Sequence, residues 1–431
     1  MNSLRKGVTI DGRNIINEKS VMIRKPALKN YLLLILYILF LFQDCFVTMG
    51  FSIFGFYDEI MASICAGVLL LNFVKNCFVI NESQHELIIL VVYLLFVIIG
   101  VTSNLINSDQ TISYIFLDIL TSSKMFLGIA GAKVIFRSDM DKKLKIGLRK
   151  ITKIYIVSIF ILALHDWFFF PFFRVGYDKV IHGLASKYLY LMYSNPTYLA
   201  AYSIVALIVL IYTQEKKSQW IFMIMDAVVI VLTTRSKAWG FICLAFLIYW
   251  ITNKAPNVKS LWKRLVVVIP TGFMTVFLVA MDKVIIYFFT PSHYSPRSIL
   301  LNAGIERAKK FFPLGNGFGT FCSVAAITTG RGTDILPYNK SAYYDAFWAC
   351  IMGQFGFLGT IVFIIMIVML LIDVMSLMRF DRKSWYAGLF SLIYLIIASL
   401  GETSFFSQYS IGFGVVIGMS LSCKNSIKKV I

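Results

Sequence analysis

The sequence predicts an all-α, polytopic membrane protein with about twelve transmembrane helices and a large extracytoplasmic loop between the ninth and tenth. Composition, the lengths of the apolar runs and the placement of basic residues carry that expectation. Apolar residues make up 58% of the 431 residues and charged residues 15%. A soluble globule keeps a larger polar shell than such a composition supplies. The net charge of +19 raises nucleic acid as a partner, but the basic residues fall in short clusters between apolar runs. Topogenic loops have that pattern, so no nucleic-acid partner is expected.

A helix needs about twenty apolar residues to cross the hydrocarbon core. Suitable runs begin near Tyr31, Glu59, Leu87, Thr111, Ile154, Tyr198, Trp220, Ala238, Leu265, Tyr344, Trp385 and Ser410. If these spans alternate, the clusters Arg5 to Lys29, Arg137 to Lys153, Lys216 and Lys217, Lys254 to Arg264, Arg379 to Lys383 and Lys424 to Lys429 share one side. The positive-inside rule makes that side cytoplasmic and puts both termini there. The expected organisation is a cytoplasmic tail over residues 1–30, one transmembrane domain over 31–423 and a cytoplasmic tail over 424–431. The first thirty residues have no short apolar core or small-residue cleavage site, so they read as a tail and not as a signal peptide. Two outer segments are long, about 173–196 and 284–343. Most of the seven cysteines lie inside apolar runs, and no disulfide framework or zinc site is expected.

Several residues depart from a plain membrane pattern. The runs Trp220–Thr234 and Ala238–Thr252 hold about fifteen residues each and reach only about 22 Å. That falls short of a core about 30 Å thick, which draws Arg235 and Lys237 below the outer surface. Cations at that depth either snorkel to headgroups or meet an anion. Within the second outer segment, Leu301, Ile305, Ala308 and Phe312 recur at helical spacing between Arg297 and Phe312. This predicts an amphipathic helix lying at the interface, with Arg307 near its apolar edge. Pro313 to Gly319 (PLGNGFG) follows, and its alternate glycines, Gly315 and Gly317 among them, permit a tight loop with exposed amides. Acidic groups on the outer side are few: Asp345 at the start of the tenth span, Glu402 at the end of the eleventh, Asp166 beside His165, and Glu306 and Asp334. With His182 and His293, these are the candidate general bases; helix-end or solvated charge is the other reading for each. Asp118, Lys124, Asp226 and Asp282 fall in or near spans and suit interhelical pairing. No DxD arrangement or histidine cluster calls for a metal, and no cofactor is expected.

These segments resemble the superfamily of bacterial O-antigen polymerases and O-antigen ligases. Ser194 to Ala200 (SNPTYLA) is similar to the family's Asn-Pro-Asn element opening a helix after an outer loop, and contributes Asn195. Thr233 to Ala238 (TTRSKA) looks like its Ser-Arg-small-residue turn. Arg297, with the glycine-rich stop sixteen residues later, resembles its outer-loop arginine and amphipathic helix. Tyr344 through Gln354 to Gly359 looks like the helix that follows. Asp345 stands where ligases often have His, and Gln354 where Glu is common.

The resemblance implies a metal-independent membrane glycosyltransferase acting outside a bacterial plasma membrane, where nucleotide sugars are absent. Its substrate would be a polyprenyl-diphosphate-linked oligosaccharide, polymerised into a surface polysaccharide such as a capsule or exopolysaccharide. Membrane lipid, a flippase and a chain-length regulator are the partners it implies. Arg235, Arg297 and Arg307 would hold the diphosphate, since the planar guanidinium bonds phosphate in two places and keeps its charge. Asp345 or Glu402 would accept the acceptor hydroxyl's proton, with Asp345 preferred, and Asn195, Gly315, Gly317 and Tyr344 would contact the glycan. Direct displacement would invert the anomeric centre. A ligase with the same chemistry and a lipid-linked oligosaccharide flippase are the alternatives.

Overall fold

The computed structural model describes residues 28–76, 84–136, 141–169, 174–181, 184–215, 219–253, 296–332, 334–336 and 340–428. The expected ninth span from Leu265, together with His182, His293, Asp282 and the N-terminal tail before Leu28, lies outside the described residues.

The described helices are α1 (Leu28–Leu41), α2 (Gln43–Thr48), α3 (Tyr57–Lys75), α4 (Gln84–Asn107), α5 (Ile112–Ile135), α6 (Lys142–Phe168) and α7 (Pro196–Thr213). They continue as α8 (Trp220–Leu232), α9 (Ser236–Asn253), α10 (Pro296–Lys310), α11 (Val324–Thr329), α12 (Phe347–Ser376), α13 (Arg382–Ser399) and α14 (Ser410–Lys428). Among the described residues, five helical segments are long and apolar enough to cross a membrane: Ser52–Lys75, Leu87–Asn107, Ile112–Ile135, Pro196–Thr213 and Phe347–Arg379. Shorter apolar helices run over Leu28–Leu41, Trp220–Leu232, Ser236–Thr252 and Ser410–Cys423. Their exposed faces are rich in Leu, Ile, Val and Phe, as lipid contact requires.

Part of the first outer segment, expected as a loop, is a hairpin. Strands Arg174–Ile181 and Leu184–Leu191 pair antiparallel, with Val175 opposite Leu189 and Gly176 opposite Tyr188. Alternation of Val, Tyr and Leu with small or polar residues suits a pleated ribbon. The chain then enters α7, where the Asn195 side chain accepts from the Thr197 amide at 2.9 Å and Pro196 opens the helix.

Helix α7 is the most enclosed of the five long segments, with 89% of its apolar window buried. Helix α14 packs on α5 through glycines. A Cβ on Gly414 would lie 2.3 Å from the Met125 carbonyl oxygen, and one on Gly418 would lie 2.3 Å from that of Ile129. The two are four residues apart on one helix face, the small-residue spacing that lets membrane helices approach closely.

Helix α12 is broken at Gly356, whose φ of 62° and ψ of −163° interrupt the helix. The glycine-rich loop fills the break. The Gly317 amide donates to the Gln354 carbonyl at 2.7 Å, Asn316 donates to Gly353 at 3.1 Å, and Leu358 donates to Pro313 at 3.1 Å. Backbone groups freed at membrane depth need such partners, and here the loop supplies them. A helix that closes around a loop in this way holds the loop in a defined place.

The loop helix α10 forms where periodicity predicts it, but its buried face is Ser298, Leu300, Gly304 and Ala308. The expected stripe is displaced: Leu301 and Ile305 are half-buried and Phe312 is 72% exposed. Gly304 explains the rotation. A Cβ there would lie 2.7 Å from the Ala349 carbonyl oxygen, so α10 docks closely on α12 through this face.

Candidate functional site

Three chain segments distant in sequence meet at the turn after α13. The turn between α8 and α9 brings Lys237, two residues after Arg235. The first residues of α10 bring Arg297. The 3-10 turn Lys340–Asp345 brings Tyr344 and Asp345, and the connection from Leu400 to Tyr409 brings Glu402. The Thr403 amide donates to the Tyr344 carbonyl at 2.9 Å, which ties the last two together.

Their charges pair. Arg297 Nη2 donates to Asp345 Oδ2 at 3.0 Å, and Lys237 Nζ lies 3.5 Å from Glu402 Oε1. The two pairs share one place, and Gly401 shows it. A Cβ on Gly401 would lie 2.8 Å from Lys237 Cε, 3.0 Å from Lys237 Nζ and 3.2 Å from Arg297 Nη1. A side chain at 401 would therefore push the ends of both cationic side chains aside, while the backbone there suits any residue. The two cations approach its bare Cα, and each is paired with its own carboxylate.

Local structure explains why the cations need company. Lys237 sits in the first turn of α9, where the helix dipole already presents positive charge. Burial of that turn adds to the cost, and the nearby carboxylates offset it. Glu402 itself is only 13% exposed. It lies among buried tyrosines: the Tyr409 ring centroid is 6.0 Å from that of Tyr198 and 6.2 Å from that of Tyr394. Burial pushes the Glu402 carboxyl above its ordinary range, against the opposing pull of Lys237. Among the described residues, the hydroxyl of Tyr409 and the Glu402 Oε1 that faces Lys237 make no close hydrogen bond.

Arg235 lies two residues from Lys237, with its guanidinium carbon 5.4 Å from the Tyr188 ring centroid. The hairpin therefore covers the turn, and a cation–π contact holds the arginine. Among the described residues its buried Nε has no hydrogen-bond partner.

Arg307 belongs elsewhere. Its guanidinium carbon stacks 4.6 Å above Phe321, within the small core that α10 shares with Leu300, Cys322, Tyr343 and Cys350. It sits nearly three turns beyond Arg297 on a helix that docks through Gly304, and so it joins the loop's own packing instead of the charged cluster.

Gly315 and Gly317 likewise leave the site. Their φ values of 78° and 89° are those only glycine adopts easily, but the loop amides are consumed internally. Gly315 donates to Phe311 at 2.9 Å, Gly317 to Gln354 at 2.7 Å, Phe318 to Asn104 Oδ1 at 2.7 Å and Gly319 to Asp118 Oδ2 at 2.6 Å. The expected row of exposed amides is a buried latch. Gln354 belongs to the same latch and donates to the Phe321 carbonyl at 2.9 Å. Asn195 is exposed but uses its side-chain oxygen as the α7 cap. Of the expected intramembrane pairs, Lys124 bridges Asp58 and Glu59, while Asp118 binds the loop.

In the sequence Lys237 shares with Arg235 the choice between snorkelling and meeting an anion but is not among the residues expected to hold the diphosphate, and Gly401, Tyr188 and the tyrosines around Glu402 are not singled out there. A basic residue two positions after Arg235 and a glycine directly before a lone outer glutamate were the available signals. No family model matches the chain, and no curated protein matches it either.

Proposed function

We propose that the chain polymerises polyprenyl-diphosphate-linked oligosaccharide repeat units on the outer face of a bacterial plasma membrane. In this reading it spans the membrane twelve times, keeps both termini in the cytoplasm and needs no metal. The observation that carries the reading is the meeting of Lys237, Arg297, Asp345 and Glu402 around Gly401. Neighbouring positive charge at the start of α9 is what a diphosphate at headgroup depth would seek.

Chemistry follows from that arrangement. Arg297, Lys237 and Arg235 bind the donor diphosphate and stabilise the charge it gains as the anomeric C–O bond breaks. Donors aimed at such developing charge act mainly in the transition state, each worth about 10²–10³ in rate. The acceptor hydroxyl forms the new C–O bond from the opposite face, inverting the anomeric centre, and gives its proton to a carboxylate. Glu402 suits the base better than Asp345. Its burial among tyrosines raises its proton affinity, whereas Asp345 is 47% exposed and orients Arg297. The hairpin and Tyr344 form the rim past which glycan enters.

The test is incubation of purified protein with a synthetic polyprenyl-diphosphate repeat unit and gel analysis of the product. A ladder of repeat lengths is expected. Arg235→Ala and Arg297→Ala should insert normally and leave single units on the carrier, with Arg297→Lys rescuing poorly. Full-length polymer from either alanine variant removes that arginine from the mechanism.

A further inference from the structure

Away from the charged cluster, α1, α3, α5, α6, α7 and α14 enclose a cavity of about 290 Å³. Its wall is aliphatic and aromatic from Leu33 and Phe40 on α1 to Val209 on α7 and Val416 on α14, with one charged side chain, Lys29, at an end. Leu32 and Ile64 both line it and are 56% and 40% exposed, so the cavity opens sideways between α1 and α3. That is the direction in which lipid lies in a helical membrane protein.

Among the described residues, the charges at its polar end are mostly cationic. Lys29 Nζ donates to the Ile135 carbonyl at 2.7 Å, which anchors the ammonium at the end of α5 and leaves it two further N–H groups. Lys133 lies in the last turn of α5, and Lys142 and Lys143 open α6 directly before Leu144, which lines the cavity. The nearby acid, Asp141, is occupied by Asn30 Nδ2 at 2.6 Å and by the Lys143 amide at 3.1 Å. An aliphatic slot with cations at one end matches an amphiphile with one acyl chain inserted and an anionic head outside.

We infer that this cavity binds an anionic membrane phospholipid, one acyl chain lying between α1 and α3 and the head-group phosphate meeting Lys29. In the proposed topology this end faces the cytoplasmic leaflet, where anionic lipids and juxtamembrane lysines attract one another. The site is separate from the proposed polymerase centre, and its test does not depend on that activity.

The test uses the full chain in nanodiscs of phosphatidylcholine and phosphatidylglycerol, followed by detergent release and native mass spectrometry. The wild type should retain phosphatidylglycerol in preference to phosphatidylcholine. Val68→Trp, which fills the slot from the partly exposed α3, should abolish retention. Lys29→Gln should lower it roughly fivefold, the loss of one lysine–phosphate attraction at a membrane surface, while Lys29→Arg retains it. Should Val68→Trp fail to fold, the Gln and Arg variants of Lys29 decide the matter alone. Equal retention of both lipids, retention unchanged in Lys29→Gln, or a polyprenyl phosphate as the species retained would each overturn the assignment.

Discussion

Gly401→Ala offers a way to move the two cations without removing either. The new Cβ would stand 2.8 Å from Lys237 Cε and 3.2 Å from Arg297 Nη1. Ordinary carbon contacts begin near 3.5 Å, so the lysine stem must retreat by about 0.7 Å and the guanidinium by a few tenths. Both are the far ends of flexible side chains, and the alanine backbone is unstrained here, so folding should survive. A misplacement approaching 1 Å in a positioned group costs about 10² in rate, while losing one charge-stabilising donor costs about 10²–10³. We therefore expect Gly401→Ala to insert and melt like the wild type but to polymerise about a hundredfold more slowly. The assay is the initial rate of ladder formation from the synthetic lipid-linked unit, beside a thermal melt of the same preparation. Wild-type rates from a correctly folded Gly401→Ala protein would refute the reasoning, because the clustering of Lys237 and Arg297 would then be irrelevant to turnover.

Three other outcomes are expected. Glu402 holds its proton more tightly folded than unfolded, so stability should decline as pH rises from its ordinary range through its raised folded value. A base must be ionised, so turnover should climb over that same interval; Glu402→Gln should flatten the stability slope and abolish turnover, as thermal melts and a rate–pH series would read. Lys124→Met leaves Asp58 buried beside Glu59 without its cation, a loss of about 3–5 kcal/mol. Membrane accumulation measured by immunoblot should fall sharply and recover in part when Asp58→Asn is added. In Gly317→Ala a Cβ would lie 2.4 Å from the Asn104 side chain at a φ of 89°; the backbone strain alone costs about 1–3 kcal/mol. The melting temperature should drop, whereas a glycan-contacting glycine would change turnover and leave the melt alone.

The sequence by itself determined what depends on local composition. Apolar runs, basic clusters and the Asn195-Pro196 helix opening announce a helical membrane chain, because hydropathy and capping act over one or two turns. Arg297 at the start of a loop helix and Arg235 before α9 were legible for the same reason, as charges placed where an apolar chain should avoid them. Which charges meet was not legible. Lys237 finds Glu402, and Arg297 finds Asp345, only because α9, α10 and the turn after α13 converge, and residues tens to more than a hundred positions apart leave no periodic trace of that. Arg307 shares a helix and a charge with Arg297 yet stacks on Phe321, a distinction set by how Gly304 rotates α10 against α12. The glycines of the loop read as an open anion cradle in one dimension. In three they close the break at Gly356, because a helix interrupted at membrane depth must find hydrogen-bond partners, and the loop amides lie nearest.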